Sequence, residues 1–313
     1  MALSYVKIPS PLVSVIIPTY NRAELLGPTI DSIVGQSFSD FEIILVDDGS
    51  TDRTRELFAE GRDHRMRYVL QPNAGEGSAT NHGWRLAQGR YAAVVSSDDP
   101  VLPGWMETMV AFMEARPSIL VGYPDWRVID AEGRAVETMV THEYAFADMV
   151  AWLLTVPGPG SFIRREALKD FGDLRNPAFR YAPDLDSWLR LALVGDFARV
   201  PHELACWRRH PTSITVADRS RARATEMLVL VRSFFARPDI PRDIRRLKRF
   251  ALSRAYWYAA WAVLETAPLL SDYYLLRSYW ISPEDPERLP VPLRRFPRPT
   301  ASGIRTKLGA KLR

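Results

Sequence analysis

Hydrophobic and polar positions divide the chain into two regimes. In the first, short apolar runs alternate with stretches of helical period. The run 13–17 (VSVII) is nearly all apolar and stops at Pro18, the pattern of a strand buried on both faces. The same reading predicts strands over 41–46, 66–70 and 91–95, with helices over 22–36, 51–60, 75–88 and 105–116 between and after them. Four βα units in succession predict a mainly parallel sheet with helices on both faces. Residues 119–215 are more mixed, with strands expected at 119–129, 161–164 and 198–207 and helices at 144–154 and 184–194. Pro201 marks the 198–207 strand as an edge.

Beyond Val216 the period changes. Met227, Leu230, Val231, Phe234 and Phe235 recur at helical spacing, as do Ile244, Leu247, Ala251 and Tyr258, and a third helix is expected over 273–281. The aromatics of this region, including Tyr256, Trp257, Trp261, Tyr273, Tyr274, Tyr279 and Trp280, are expected to pack onto the first domain or onto a second subunit. The chain therefore divides into an α/β domain over 1–215, a helical extension over 216–282 and a Pro-rich basic tail over 283–313.

Composition narrows the class. The chain has 313 residues, 47% hydrophobic and 25% charged, values of a globular protein rather than a disordered one. Its longest uncharged stretches fall short of the roughly 18–20 apolar residues that span a bilayer. No signal peptide is visible at the N-terminus. The single cysteine, Cys206, excludes internal disulfides and cysteine-based zinc sites, and a cytoplasmic protein is expected. Net charge is only +4, but from Glu287 onward Arg288, Arg294, Arg295, Arg298, Arg305, Lys307, Lys311 and Arg313 face a single acid. Such a tail suits an anionic surface, at the inner face of a membrane, or simply water. No aromatic-basic motif accompanies it, so nucleic acid is not an expected partner.

The polar clusters fall at the strand ends. Pro18-Thr19-Tyr20-Asn21 closes the first strand and Asp47-Asp48-Gly49-Ser50 the second. Asn73-Ala74-Gly75 follows the third, and Ser96-Ser97-Asp98-Asp99 closes the fourth. In a parallel sheet these ends share one edge, where ligands bind. Singly, each cluster reads equally as a helix cap or a turn; together they point to one crevice. Gly75-x-Gly77 is not a dinucleotide fingerprint, because Thr80 stands at the third glycine and the segment follows the third strand. No GxxxxGK[ST] sequence occurs either.

PTYNR (18–22), VDDGSTD (46–52), NAGEGSATNHG (73–83) and SSDD (96–99), extended by PDLDSWLRL (183–191) and WRRHPTSIT (207–215), resemble in order and spacing the markers of glycosyltransferase family 2. The resemblance covers roughly two thirds of the chain. It implies a GT-A fold, a nucleotide-sugar donor, a divalent cation (Mg²⁺ or Mn²⁺) and inverting transfer. By the same resemblance Pro18, Tyr20 and Asp48 bind the nucleoside, with Tyr20 against the base and Asp48 accepting its ring N–H. A carboxylate acceptor favours uracil, thymine or guanine, hence a UDP, dTDP or GDP sugar. Arg22 and Asn81 are candidates for ribose or phosphate, or for the helix surface.

In the family's Asp-x-Asp pattern Ser96 replaces the first acid, where it can still bond ribose. Asp98 is the expected metal ligand and Asp99 its support, and His210 is a further candidate at the metal or diphosphate. Asp184 is the expected general base, with Pro183 where the family usually has a glutamate. The same two residues also suit a helix start. Trp188 and Trp207 are expected to pack, and the Pro157–Ser161 loop to border the acceptor pocket. The acceptor implied is a glycan or a lipid-linked sugar. A non-catalytic nucleotide-binding scaffold of the same fold is the alternative, motivated by Ser96 and Pro183. A sugar nucleotidyltransferase is a second, against which PTYNRAELLG lacks the Gly-rich basic loop.

Overall fold

The computed structural model describes residues 11–59, 63–168, 171–209 and 220–283. Its first half is the alternation expected: β1 (Val13–Thr19), α1 (Ala23–Val34), β2 (Phe41–Asp47), α2 (Thr54–Phe58), β3 (Met66–Leu70), α3 (Glu76–Leu86), β4 (Tyr91–Val94) and α4 (Trp105–Glu114). Then come β5 (Ile119–Ile129), β6 (Ala135–Met139), α5 (Phe146–Trp152), β7 (Phe162–Arg164), α6 (Pro183–Leu191) and β8 (Asp196–Arg208). Four helices follow: α7 (Arg221–Ala236), α8 (Arg242–Arg246), α9 (Lys248–Val263) and α10 (Pro268–Ile281).

One eight-stranded sheet runs β3-β2-β1-β4-β7-β5-β6, with β8 pairing parallel to β5. Strands β1 to β4 are mutually parallel, so their carboxyl ends share one edge. Strand β7 runs antiparallel to both β4 and β5. Alternate residues of β1 and β2 face different layers. Val13, Val15 and Ile17 join Ile43 and Leu45 under α1 and α4, against Leu26, Ile30, Trp105 and Met109. Ile16, Ile44 and Val46 join a second cluster that takes in α3 and α6 and continues to Phe234, Tyr256 and Val263. Both faces of the strands are dry, which is why they read as continuous apolar runs. Helix α3 lies close on β1, because a Cβ at Gly83 would collide with Ile16.

The helical extension shares the second cluster rather than building a core of its own. Trp152 of α5 meets Phe250 of α9 edge-on at 5.0 Å, and the Arg254 guanidinium lies 4.1 Å over the Trp152 ring. The single helix expected across Ile244–Tyr258 is two, α8 and α9, divided at Leu247. The helix expected over 51–60 is shorter, because side chains take the N–H groups that would have opened it. Asn21 Oδ1 accepts from Thr51 N and Asp52 N, and Asp47 Oδ1 from Ser50 N.

Ahead of β3, Arg65 grips Asp63 with two 2.8 Å bonds and lays its guanidinium 4.0 Å over Phe41. The grip brings the Asp63 pKa down to about 2. A carboxyl depressed on folding stabilises fully above its unfolded pKa near 4, and that stabilisation fades as pH falls toward 2. The shift corresponds to about 2 kcal/mol. Asp63→Asn is therefore expected to lower stability at pH 7 by about that amount and to flatten the pH 4-to-2 limb of a urea-denaturation series. An unchanged limb would place the acid sensitivity elsewhere.

Candidate active site

At the carboxyl edge of the sheet, the loops after β1 and β2 are stitched together before any ligand is considered. Asn21, at φ 53°, uses its carboxamide on the 51–52 backbone, and Asp52 returns the contact by accepting from Ala23 N and Thr54 N. Gly49, at φ +76°, lets that turn approach the Asn73 backbone, where a Cβ would stand 2.9 Å from Asn73 N. Asp48 is buried and accepts from Gln71 Nε2, Ala74 N and Gly75 N at 2.7, 2.9 and 2.7 Å. A carboxylate offers about four acceptor positions, so one remains for the expected base N–H. Three hold the loop that leads into α3. Tyr20 stands exposed at the end of β1, and Arg22 is half-buried at the start of α1 with its N–H on Thr54 Oγ1.

A cavity of about 820 Å³ opens at this edge. Pro18, Ser96, Asp98 and Asp99 line it from the ends of β1 and β4, Arg175 from the segment leading into α6, and Asp184 from the first turn of α6. The Pro157–Ser161 loop, Trp188 and Trp207 also line it. Trp188 is buried and packs edge-on to Phe197 at 6.2 Å, whereas Trp207 is half-buried in the wall as well as stacked under Arg209. Tyr20 and Asp48 lie outside this cavity's lining.

Asp98 and Asp99 differ in situation. Asp98 is partly exposed to the cavity. Asp99 is buried and accepts the Arg208 N–H at 2.6 Å, while Arg208 Nε bonds the Asp98 carbonyl at 2.9 Å. Burial, reinforced by the Asp98 charge, pushes the Asp99 carboxyl up to about 8. Its support for Asp98 is thus indirect: it fixes β8 beneath the loop. Among the described residues no cluster of three or more acidic, histidine or cysteine side chains is placed to enclose a metal ion. One carboxylate still suits Mg²⁺ or Mn²⁺ carried in by a diphosphate, since such ions complete their shells with phosphate oxygens and water. His210 lies outside the described residues.

Asp184 sits in the first turn of α6 behind Pro183, with about half of its side chain exposed. Its carboxylate is paired with Arg175, a buried residue that the sequence reading did not single out. Arg175 is itself held: Asn81 Nδ2 donates to its carbonyl at 2.8 Å and Asn81 Oδ1 accepts its N–H at 2.7 Å. Asn81 therefore braces the site from behind, with its oxygen and one N–H of its amide on the Arg175 backbone. Glu76 reaches solvent in the cleft, yet protein surrounds it closely enough to hold its carboxyl above the usual range. Arg175 opposes that rise and Asp184 adds to it. Asp186 accepts a 2.8 Å bond from Arg190 one turn on and serves the helix itself.

The extension reaches the site directly. Glu226 of α7 accepts three consecutive backbone N–H groups, from Arg180, Tyr181 and Ala182, at 2.7, 2.6 and 2.8 Å. It thereby anchors the segment that enters α6 and carries Asp184. Met227 of α7 and Tyr258 and Trp261 of α9 complete the cavity wall. No sequence signal marks Glu226, since an acid on a helix surface looks like any other. Truncating it to alanine leaves three N–H groups without their acceptor, a cost of about 1–3 kcal/mol each when buried and less where water replaces it. Glu226→Ala is expected to lower kcat for sugar transfer about tenfold while leaving nucleotide affinity within twofold, with Glu226→Gln intermediate. Equal loss of both would make Glu226 a general stability residue.

The open, mainly parallel sheet with this edge cleft, closed on one side by an antiparallel strand, is the GT-A arrangement. The chain belongs to glycosyl transferase family 2, whose model matches residues 14–172. Among its relatives is TuaG of Bacillus subtilis, a glycosyltransferase assigned to teichuronic acid biosynthesis, 33% identical over 194 residues that make up 59% of this chain and 73% of TuaG. The chondroitin synthase of Escherichia coli is 30% identical over 207 residues, 61% of this chain but only 28% of that enzyme. Solved structures share the fold at low identity. S. aureus TarS 1-349 in complex with UDP-GlcNAc aligns at TM-score 0.66 and 18% identity, covering 86% of this chain and 81% of that one. The mannosyltransferase PcManGT of Pyrobaculum calidifontis, in complex with GDP-Man and Mn²⁺, aligns at 0.61 and 19%, covering 86% and 75%.

Proposed function

We propose that the protein transfers a sugar from a nucleoside diphosphate to a hydroxyl of a glycan or lipid-linked acceptor, with inversion at the anomeric carbon. The observation that carries this reading is that Asp98 and Asp184 line one cavity at the carboxyl edge of the sheet. Asp184 takes the proton of the acceptor hydroxyl as its oxygen attacks the anomeric carbon. The bond from that carbon to the diphosphate oxygen breaks on the far side, and the diphosphate leaves. A divalent cation, when bound, neutralises the charge growing on that leaving group. Asp98 would hold it. Arg175 orients the Asp184 carboxylate and Glu226 fixes the helix start beneath it. Ser96 and Tyr20 are left to the nucleoside, with the remaining acceptor position of Asp48.

Bound ligands in structural neighbours, UDP-GlcNAc and GDP-Man, support the donor class, and Mn²⁺ supports the cation. TuaG and chondroitin synthase support a polysaccharide acceptor. The test is a donor screen: UDP-, dTDP- and GDP-sugars incubated with Mn²⁺ or Mg²⁺, followed by release of the nucleoside diphosphate. One donor hydrolysed above background, with the anomeric configuration inverted in the transferred sugar, is expected. Metal-dependent diphosphate binding with no turnover on any donor or acceptor would instead identify a nucleotide-binding scaffold.

A further inference from the structure

Helix α10 presents an apolar side outward. At 100° per residue, Leu269, Tyr273, Leu276 and Trp280 fall within an arc of about 60°. All four are exposed, Leu269 at 85% and Trp280 at 84%. The inward side of the same helix packs Leu270, Tyr274 and Ile281 against the second cluster, and two serines lie beside them. Ser278 and Ser271 lie against α9, where Ser278 Oγ donates to the Ser253 carbonyl at 2.8 Å and Ser271 Oγ to the Ala260 carbonyl at 2.9 Å. These bonds fix the rotation of the helix, so the aromatic side is held away from the core. Of the aromatics expected to pack onto the first domain or onto a second subunit, Tyr273, Tyr279 and Trp280 stand exposed on the chain itself.

We propose that this face of α10 docks on the surface of an anionic phospholipid bilayer. Two features select that occupant. Leucine with tyrosine and tryptophan is the composition of side chains that settle at the headgroup boundary, where a ring can be apolar on one side and hydrogen-bonded on the other. Beyond the helix the sequence holds three acids, Glu284, Asp285 and Glu287, and then, from Arg288 to Arg313, eight cations and no acid, whereas α10 itself carries one acid, Asp272, and one cation, Arg277. An apolar helix face and a polybasic segment are the two signals that together give firm attachment where either alone is weak. A second copy of the chain would gain nothing from the cations, which would repel their equivalents. No helix among the described residues is long and apolar enough to cross a membrane, so attachment would be to the surface. The proposal does not depend on the chemistry in the cleft.

Vesicle flotation of the full chain, without donor or acceptor, tests it. Binding is expected to phosphatidylcholine vesicles containing phosphatidylglycerol and not to phosphatidylcholine alone, and to weaken as salt is raised. Leu276→Glu combined with Trp280→Glu is expected to lower binding about tenfold or more with the melting temperature unchanged, since both side chains are exposed. Independently, brominated phosphatidylglycerol is expected to quench wild-type tryptophan fluorescence more than that of Trp280→Phe. Three results would overturn the proposal: no preference for anionic vesicles, undiminished binding by the double variant, or a dimer without lipid affinity that the double variant dissociates.

Discussion

Replacing Asp184 with asparagine is expected to lower the rate of sugar transfer by about 10²–10⁴-fold, or about 3–5 kcal/mol of barrier. Asparagine keeps the size of the side chain and a carbonyl oxygen for Arg175, but it cannot take the proton of an acceptor hydroxyl. The exposure of Asp184 allows the change without a large cost in stability, and Pro183 holds the helix start in either variant. Donor affinity should stay within about threefold, because the substitution touches the acceptor side of the reaction. Single-turnover transfer, measured beside calorimetric titration of the nucleotide, separates the two quantities. Transfer within threefold of wild type would move the base to another residue. Glu76 is the next candidate, since it lines the same cavity beside Arg175.

The second large effect is expected at Asp98. Asp98→Asn removes the partly exposed carboxylate from the β4 end of the cavity, and with it the ligand proposed for a diphosphate-borne cation. A cation of this kind contributes several kcal/mol of charge stabilisation, so a loss of about 10²–10³-fold in transfer is expected. Mn²⁺-dependent binding of the nucleoside diphosphate should weaken in parallel, unlike in Asp184→Asn. Asp99→Asn should be far milder, because asparagine still offers an acceptor to the Arg208 N–H and the native carboxyl is already biased toward its neutral form. If Asp98→Asn and Asp99→Asn fell equally, the two acids would be sharing the cation after all. If wild-type activity survived a chelator, no cation would be needed.

Much of this arrangement was written in the order of residues. Runs such as 13–17 and 41–46 are apolar but for Ser14 and Glu42, which bond each other, because both faces of β1 and β2 are covered, and that pattern implies a doubly covered parallel sheet. The strand-end clusters followed from the same geometry, since parallel strands aim their last residues at one edge. Asp98 and Asp184, named from motif spacing, do share a cavity. What the spacing could not reveal was how much of each motif serves the fold. Asn21 and Asp52 spend acceptors on each other's loops, Asp47 on its own turn at Ser50, Asp48 three of its four positions on Gln71 and the 74–75 backbone, and Asn81 its amide on the Arg175 backbone.

The sequence by itself therefore determined the sheet and the edge at which β1 to β4 end, because those depend on local period and on chain direction, and the resemblance to family 2 singled out Asp98 and Asp184. Tertiary structure alone decided which partners those acids meet. Arg175 reaches Asp184, and Glu226 reaches the 180–182 backbone across 44 to 46 positions of chain, through contacts with no local pattern. The outward turn of α10 was equally hidden: its exposed apolar residues have a core helix's spacing, and only the contacts of Leu270, Ser271, Tyr274 and Ser278 show which side faces in.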